Sequence, residues 1–109
     1  MAHYLVQLSY TSQSWTAQLK EPKNRIEAVK PVIDKLGGRI TAAFYAFGDY
    51  DLVFIADFPN NVTAAASSLA FQAGGAIKAM KTTPLMTIEE GLEALKKGAD
   101  ANSVYKPQR

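Results

Sequence analysis

One stretch in the middle of the chain decides the fold, and it reads Phe44-Tyr45-Ala46-Phe47-Gly48-Asp49-Tyr50-Asp51-Leu52-Val53-Phe54-Ile55. Two apolar runs rich in aromatic and β-branched residues meet there at a short polar turn, a pattern that favours a half-buried pleated surface. Gly48 can adopt the positive φ that a tight primed turn requires. The stretch therefore predicts a hairpin, with strand two from about Arg39 to Phe47 and strand three from about Asp51 to Phe58.

The chain before the hairpin predicts one strand and two helical segments. Side chains alternate from His3 to Tyr10, as they do in a strand with one buried face. The cluster of cap residues after Tyr10 opens a short helical piece that carries Trp15 and Leu19. A second helix runs from Asn24 to Gly37-Gly38, and Pro31 inside it predicts a kink or a restart.

The chain after the hairpin predicts two helices with a strand between them. Pro59-Asn60-Asn61 supplies a cap for an alanine-rich helix from about Val62 to Gln72, which Gly74-Gly75 ends. Strand four covers Ala76 to Thr82, and Pro84 shortly after it ends the apolar run. Thr87-Ile88-Glu89-Glu90 has the form of a capping box and opens a third long helix. The tail from Ala99 to Arg109 shows no period and is expected to be extended or packed on a partner subunit.

The element order is β-α-β-β-α-β followed by a helix. Right-handed crossovers around a central hairpin give a four-stranded antiparallel sheet with two helices on one face, so the fold class is α+β and ferredoxin-like. A length of 109 residues is typical of one domain, and residues 1–109 are predicted to form a single unit.

The hairpin strands are apolar on both faces. Strict alternation places Ala42 and Phe44 with Ile40 on one face, and Ala43 and Tyr45 on the other. Two helices cover only one face, and a large apolar patch seldom stays exposed on a monomer. The other face is therefore expected to be covered by the last helix, by the tail or by a second copy of the chain, and a two-fold homo-oligomer formed through this sheet face is preferred.

Composition excludes several classes of function. The chain has no cysteine and a single histidine, so neither a thiolate site nor a histidine-rich metal site is expected, and no cofactor is predicted. The net charge of +2 is scattered without a basic run, which argues against nucleic acid and against a membrane surface. With no apolar run of about 20 residues, the chain is expected to be soluble and cytoplasmic.

The residues around the hairpin resemble those of the GYD-domain family of small bacterial and archaeal proteins. The G-x-Y-D type of turn is Gly48-Asp49-Tyr50-Asp51, and the likeness extends over nearly the whole chain. Its other parts are Tyr4 to Thr11, Arg25 with Glu27-Ala28-Val29, Leu36-Gly37-Gly38, Pro59, the helix from Ala64, Gly74-Gly75-Ala76, Lys81 to Leu85 and Glu89-Glu90. Two residues depart from the family pattern: Asn60 stands where an acid usually follows the proline, and Phe44 stands where a tryptophan is often found. The resemblance implies a ferredoxin-like fold related to dimeric α/β-barrel proteins, which pack sheet against sheet, and it carries no established activity.

The candidate ligand-binding residues are Asp49, Tyr50, Asp51, Arg25 and Tyr45. A carboxylate of the turn could act as a general base or anchor a polar ligand, with Tyr50 as a proton donor. The alternative is that Asp49 forms the turn and Asp51 accepts backbone N–H groups at the start of the strand. No catalytic residue is assigned.

Three further side chains are assigned structural roles. His3 lacks a sequence motif that supplies a catalytic partner, and it is expected at a surface or an interface. Lys78 and Lys81 differ in parity along strand four, where charged residues guard a sheet edge.

Three functions remain open from the sequence. The preferred one is a homo-oligomeric module that binds a small, partly apolar ligand between the sheet and its covering elements. The second is a cofactor-independent monooxygenase or isomerase of the dimeric α/β-barrel type, and this rests on an analogy of fold. The third is a purely structural assembly subunit.

Overall fold

Hydrophobic alternation and helix caps divide the chain into eight elements. The computed structural model describes residues 1–108. Its elements are β1 (Ala2–Tyr10), α1 (Ser12–Lys20), α2 (Arg25–Lys35), β2 (Arg39–Tyr45), β3 (Leu52–Phe58), α3 (Asn61–Ala73), β4 (Ile77–Leu85) and α4 (Ile88–Asn102).

The four strands form one antiparallel sheet in the order β2-β3-β1-β4. The two central strands are β1 and β3. Helices α1 and α2 connect β1 to the edge strand β2, and α3 connects β3 to the other edge strand β4, so each helical crossover passes over one central strand. This is the predicted α+β ferredoxin-like arrangement, and the prediction is confirmed.

Local capping chemistry begins each long helix. Asn60 caps α3, where its side chain accepts from the Thr63 N–H at 2.9 Å, and Thr87 caps α4 through a reciprocal capping box with Glu90. Both caps satisfy backbone donors that a helix start otherwise leaves without partners. The helix starts predicted at these polar clusters are confirmed, as is the end of α3 at Gly74.

The core lies between the sheet and helices α2 and α3. Alternate residues of the two central strands point into it and are almost completely buried, and they meet Val29 and Ile33 of α2 and Ala64 of α3. The strand residues of this core are Tyr4, Val6, Leu8, Tyr10, Leu52, Phe54, Ala56 and Phe58. The buried residues of β1 and β3 therefore lie on the same face of the sheet, and we call this face the helix side.

The connection between β2 and β3 differs from the predicted tight turn. It spans six residues, 46–51, and is closed by the Ala46 N–H, which donates to the Asp51 carbonyl at 2.8 Å. Positive φ occurs at Gly37 and Gly75, and Gly48 does not share it. The prediction of a primed turn at Gly48 was wrong because a loop of this length reverses the chain without left-handed backbone.

A β-bulge at Thr41 changes the faces of β2. Ile40 lies opposite Ala56, whereas Ala42 lies opposite Ile55, so Thr41 is an extra residue without a cross-strand partner. From this point the alternation is shifted by one. Ala43 and Tyr45 therefore share the helix side with Ile40, and the predicted grouping of Ile40 with Ala42 and Phe44 was wrong.

Two prolines are accommodated where the sequence predicted interruptions. Pro84 lies within β4, opposite Tyr4, because β4 is an edge strand and its outward N–H groups need no partner. The predicted end of this strand at Thr82 was therefore three residues too early. Pro31 lies inside α2, which continues through it to Lys35 as one helix, so the predicted restart does not occur.

The last helix does not cover the sheet. No residue of α4 is buried, and Ile88, Leu92 and Leu95 are 90%, 53% and 72% exposed. Residues 103–108 are also exposed, so neither α4 nor this part of the tail covers the face opposite the helix side, which we call the open face. Helix α4 extends to Asn102 and so takes in the start of the predicted tail at Ala99, and Arg109 lies outside the described residues.

Candidate functional site

An aromatic cluster forms at the end of the sheet where β1 gives way to α1. Tyr10 is the last residue of β1 and Trp15 lies in the first turns of α1, so the short connection brings the two rings together edge to face at 5.3 Å between centroids. The Arg25 guanidinium carbon lies 5.7 Å from the Tyr10 ring centre. A cation near an aromatic face is a stabilising arrangement, and here it anchors the start of α2 to β1.

Tyr45 joins the hairpin to the same region. Its hydroxyl accepts a hydrogen bond from the Arg25 backbone N–H at 3.1 Å and donates one to the Lys23 carbonyl at 3.4 Å. Asn24 caps α2 beside it, where its side chain accepts from the Ile26 N–H at 2.9 Å. The Tyr45 ring thus bridges from β2 to the connection between the first two helices.

A cleft of about 810 Å³ lies between α1, the α1–α2 connection and the β2 edge. We call it the helix-side cleft. Its walls are mainly apolar, with a few amide and charged groups at the rim, as is usual for sites that bind small molecules. The lining residues are Trp15, Gln18, Leu19, Pro22, Lys23, Asn24, Ile26, Ala43, Phe44, Tyr45 and Leu52.

Two smaller clefts adjoin the aromatic cluster. The Arg25 cleft, about 460 Å³, is lined by Arg25 and the Gly74-Gly75 corner, and it shares Gln18 and Lys23 with the helix-side cleft. The loop cleft, about 580 Å³, is lined by Ser9, Tyr10, Thr11, Ser12, Trp15, Gly48, Asp49, Asp51 and Lys78. One end of the molecule therefore carries three neighbouring concave surfaces.

The acidic residues of the hairpin loop differ in environment. The Asp51 carboxylate is half-buried and accepts a hydrogen bond from the Tyr10 backbone N–H at 2.9 Å, while its own N–H donates to the Leu8 carbonyl at 2.8 Å. Asp49 is exposed at the loop cleft, and Tyr50 lines none of these three clefts. Asp51 thus ties the loop to β1, which is the structural role that the sequence left open for it.

Of the five residues nominated from the sequence, four gather at this end of the molecule. Tyr45 lines the helix-side cleft, Arg25 lines the cleft next to it, and Asp49 and Asp51 line the loop cleft. Their assignment to ligand binding stays a prediction. Trp15 and Gln18, which line the helix-side cleft, were not among the five, although a tryptophan in a short helix was an available signal.

Burial changes the chemistry of Tyr10. Desolvation raises the pKa of its hydroxyl, and hydrogen bonding with the Arg25 side chain, together with the Arg25 charge, offsets only part of that shift. The hydroxyl oxygen of Tyr10 and the Nε of Arg25 are both buried. The Tyr10 hydroxyl is therefore protonated at neutral pH and lies beside the Arg25 guanidinium.

A second polar cluster lies on the open face. The Asp57 side chain is 2% exposed, its Oδ1 lies 2.5 Å from His3 Nδ1, and its Oδ2 accepts from Arg39 Nε at 3.2 Å. Burial by itself would raise the Asp57 pKa, but the hydrogen bonds and charges of His3 and Arg39 outweigh it and lower the pKa. The signal for this cluster was a lone acid inside the apolar run of β3.

Within residues 1–108 no group of three or more histidine or acidic side chains is placed to hold a metal ion. No helix in this part of the chain is long and apolar enough to cross a membrane.

The fold is similar to that of several solved structures at low sequence identity. TTHA0845 from Thermus thermophilus aligns with a TM-score of 0.53 and 14% identity over 80% of this chain and 95% of its own. The hypothetical protein PHS023 from Pyrococcus horikoshii aligns with a TM-score of 0.49 and 12% identity over 80% and 92% of the two chains. Transcriptional regulator NMB0573 of Neisseria meningitidis, solved with L-Met, aligns with a TM-score of 0.49 and 10% identity over 80% of this chain and 51% of its own. The first of these likenesses supports the fold alone.

Sequence comparison is more specific. The family model for the GYD domain matches residues 4–95, which run from β1 into α4. No curated protein matches the chain.

Proposed function

The chain belongs to the GYD domain family, and we propose that it is a homo-oligomeric module that binds a small, partly apolar molecule. The ligand site is the helix-side cleft, and the oligomer forms through the open face of the sheet. The observation that carries the proposal is the apolar lining of the cleft around Trp15 and Tyr45.

The cleft has the chemistry of a binding site. Trp15, Leu19 and Ile26 offer apolar contact area, and the amides of Gln18 and Asn24 lie at the rim, where a few polar groups orient a ligand. Leu19 lies beside the cleft and is 79% exposed. A ligand that covers Leu19 removes that apolar surface from water and gains the corresponding free energy.

Binding is favoured over acid–base catalysis by the state of the carboxylates. Asp51 already accepts the Tyr10 N–H, and Asp49 is exposed to solvent. A general base is usually desolvated and free to take a proton at the substrate position. Neither acid of the loop has both properties, so we do not assign a reaction.

The open face supports the oligomeric part of the proposal. Leu5, Val53 and Ile55 lie on it only half-buried, and α4 does not cover them. The apolar side chains of α4 are exposed as well. A second copy that packs against this face would bury its apolar side chains in a two-fold interface.

The ligand site is tested with the only tryptophan of the chain, Trp15, as the reporter. Native mass spectrometry of freshly purified protein is expected to reveal a retained small molecule, and added phenylacetamide is expected to change the Trp15 emission. Leu19→Glu should weaken both signals because it replaces apolar contact surface of the cleft with a hydrated charge that a bound molecule would have to cover. Leu69→Glu, at an exposed leucine of α3, is the matched control and should retain them.

The oligomer is tested by size-exclusion chromatography with light scattering. The wild type is expected to exceed the monomer mass of 11.8 kDa at micromolar concentration. Leu5→Glu should shift it towards the monomer, whereas Leu69→Glu should not. A monomeric wild type contradicts the oligomer, and an unchanged Trp15 emission together with no retained molecule contradicts the ligand site.

A further inference from the structure

The last helix, α4, carries an apolar stripe that no part of residues 1–108 covers. We propose that α4 pairs with the α4 of a second copy of the chain, with the two helices antiparallel and related by a two-fold axis. This contact uses neither the ligand site nor the sheet face of the proposed function, and it goes beyond both.

Helix α4 projects from the body of the domain. None of its 15 residues is buried, and together they form a rod about 22 Å long. The molecule is accordingly elongated, since its radius of gyration is 17.5 Å and a compact domain of similar length has about 13 Å. A helix of about 15 residues is marginally stable in water without packing on one face. A partner for the apolar stripe would therefore stabilise α4.

The apolar residues of α4 have the spacing of a helix pair. They recur at intervals of four, three and four residues, and all of them are exposed: Ile88, Leu92, Leu95 and Ala99. Residues at these intervals lie on one narrow side of a helix. Such a stripe is typical of a two-helix seam, in which each apolar side chain fits between residues of the facing helix.

The two flanks of the stripe differ in charge. One flank carries Glu89 and Lys96, and neither has an ion-pair partner within the described part of the chain. The other flank carries Gly91 and Gly98, which line a shallow groove of about 500 Å³. The stripe is therefore bordered by two opposite charges on one side and by uncharged residues without side chains on the other.

The charged flank determines the direction of the pair. In an antiparallel pair around a two-fold axis, the same flank of both helices comes together, so Glu89 lies beside Lys96 of the partner subunit and the ion pair forms twice. In a parallel pair opposite flanks meet, and both charges would face glycines. The charges of α4 are therefore complementary to a second α4 only in the antiparallel direction.

The same register aligns the apolar side chains. It places Leu92 opposite Leu95 of the partner subunit and Ile88 opposite Ala99 of the partner subunit, each contact occurring twice. Glu89 and Lys96 of the partner subunit are then offset by about 3 Å along the helix axis, which their flexible side chains can span. One arrangement thus removes the apolar stripe from water and pairs the charges beside it.

Disulfide trapping tests both the pair and its direction, because the chain has no cysteine of its own. Ile88→Cys and Ala99→Cys proteins are mixed and oxidised, and a cross-linked dimer is expected in the mixture and in neither protein alone. In the antiparallel register, two cysteines at the same position lie about 16 Å apart along the axis, whereas a disulfide joins Cα atoms up to about 7 Å apart. Val62→Cys mixed with Leu69→Cys, at exposed positions of α3, is the control and should not cross-link.

Charge reversal tests the ion pairs. The measurements use the Leu5→Glu protein, in which the sheet contact is broken, and sedimentation velocity follows association. Adding Glu89→Lys or Lys96→Glu should weaken association by about tenfold, because each places two pairs of like charges side by side. An equimolar mixture of the two should recover it, since every pair in the mixed dimer again joins opposite charges. Asp34→Lys, the same reversal at an exposed acid of α2, should not change it.

The outcomes separate the helix pair from the sheet contact. Cross-links confined to the mixture, with recovery of association when the charge variants are combined, support the inference. Cross-links within each single-cysteine protein indicate parallel helices, and no cross-link in any sample indicates unpaired helices, so either result overturns it. If the wild type and Leu5→Glu have the same mass while the mixture cross-links, the sheet contact falls and the helix pair stands.

Discussion

The two faces of the sheet are built from the same strands and differ in how their side chains are satisfied. On the helix side, Leu8 and Phe54 are almost fully buried among apolar neighbours. On the open face, Leu5 and Ile55 lie opposite each other and are only half-buried. The one fully buried charged side chain that the structure describes on this face, Asp57, has His3 and Arg39 as partners. One face is complete within the chain, and the other is not.

The difference shows two ways of burying a strand position. An apolar side chain on the helix side needs only helices above it, because its burial gains free energy without any directional partner. A carboxylate on the open face must find hydrogen bonds in particular directions before it can leave water. His3 and Arg39 provide these from two different strands, which places Asp57 on the face where polar atoms can meet.

The largest expected effect contrasts the two faces along one strand. Leu8→Ala removes a fully buried leucine and should lower the free energy of unfolding by about 2–5 kcal/mol. Leu5→Ala, the same substitution on the open face of β1, should cost less than about 1.5 kcal/mol when measured on the monomer. Urea denaturation followed by circular dichroism measures both.

Protein concentration sharpens this contrast. If a second copy covers the open face, the cost of Leu5→Ala should grow with protein concentration while that of Leu8→Ala stays constant. If the two substitutions lower the free energy of unfolding equally at low protein concentration, the two faces of the sheet do not differ in burial within one chain.

A smaller effect is expected at the corner where α2 leads into β2. A Cβ on Gly38 would lie 2.7 Å from the Asp57 carbonyl oxygen and 2.8 Å from the Phe58 ring, so backbone would have to move. Gly38→Ala should therefore cost about 1–3 kcal/mol of unfolding free energy. Gly98→Ala in α4, where a Cβ meets nothing within 4 Å, should be neutral or slightly stabilising, and thermal melts compare the two.

The smallest expected effect concerns the charge on the open face. Asp57→Asn keeps the shape of the side chain but replaces one of its two acceptor oxygens with an NH₂ donor. It should lower the free energy of unfolding by roughly 1–2 kcal/mol at pH 7. Because the folded-state pKa of Asp57 is lowered, its contribution is present above the unfolded pKa and is lost as the pH falls through the folded value.

The direction of the Asp57 pKa shift is tested by measuring the free energy of unfolding as a function of pH. Between about pH 5 and pH 2, the stability of the wild type should fall more steeply than that of Asp57→Asn, and the difference between them should shrink. Parallel profiles for the two proteins over this range would contradict a lowered Asp57 pKa. Asp34→Asn, at an exposed acid of α2, is the control and should follow the wild type.

Features that depend on neighbouring residues were predictable. The capping box of Thr87 and Glu90, the Asn60 cap and the alternation of β1 each involve partners within a few positions along the chain. Local geometry decides such features, so the order of elements and the fold class followed from the sequence. The position of the aromatic cluster at the end of β1 was partly visible for the same reason, since Tyr10 and Trp15 are close neighbours along the chain.

Features that join distant residues were not predictable. Thr41 has nothing in its own composition that marks a bulge, yet it moves Ala42 and Phe44 to the open face. The partners of Asp57 come from His3 at the start of the chain and Arg39 at the start of β2, and no spacing connects the three. Gly48 by itself favours a tight turn with positive φ, but the six-residue loop reverses the chain without positive φ at Gly48.

By itself, the sequence determined the elements, their caps, the antiparallel sheet and the family. These rest on periodicity and on hydrogen bonds between near neighbours, which any chain with these residues forms in the same way. Only the tertiary structure decided which face of the sheet is covered by helices, how Asp51 is tied to β1, and that Arg25 lies against the Tyr10 ring. Those outcomes depend on register and on contacts across tens of residues, where a shift of one position changes the partner of every side chain that follows.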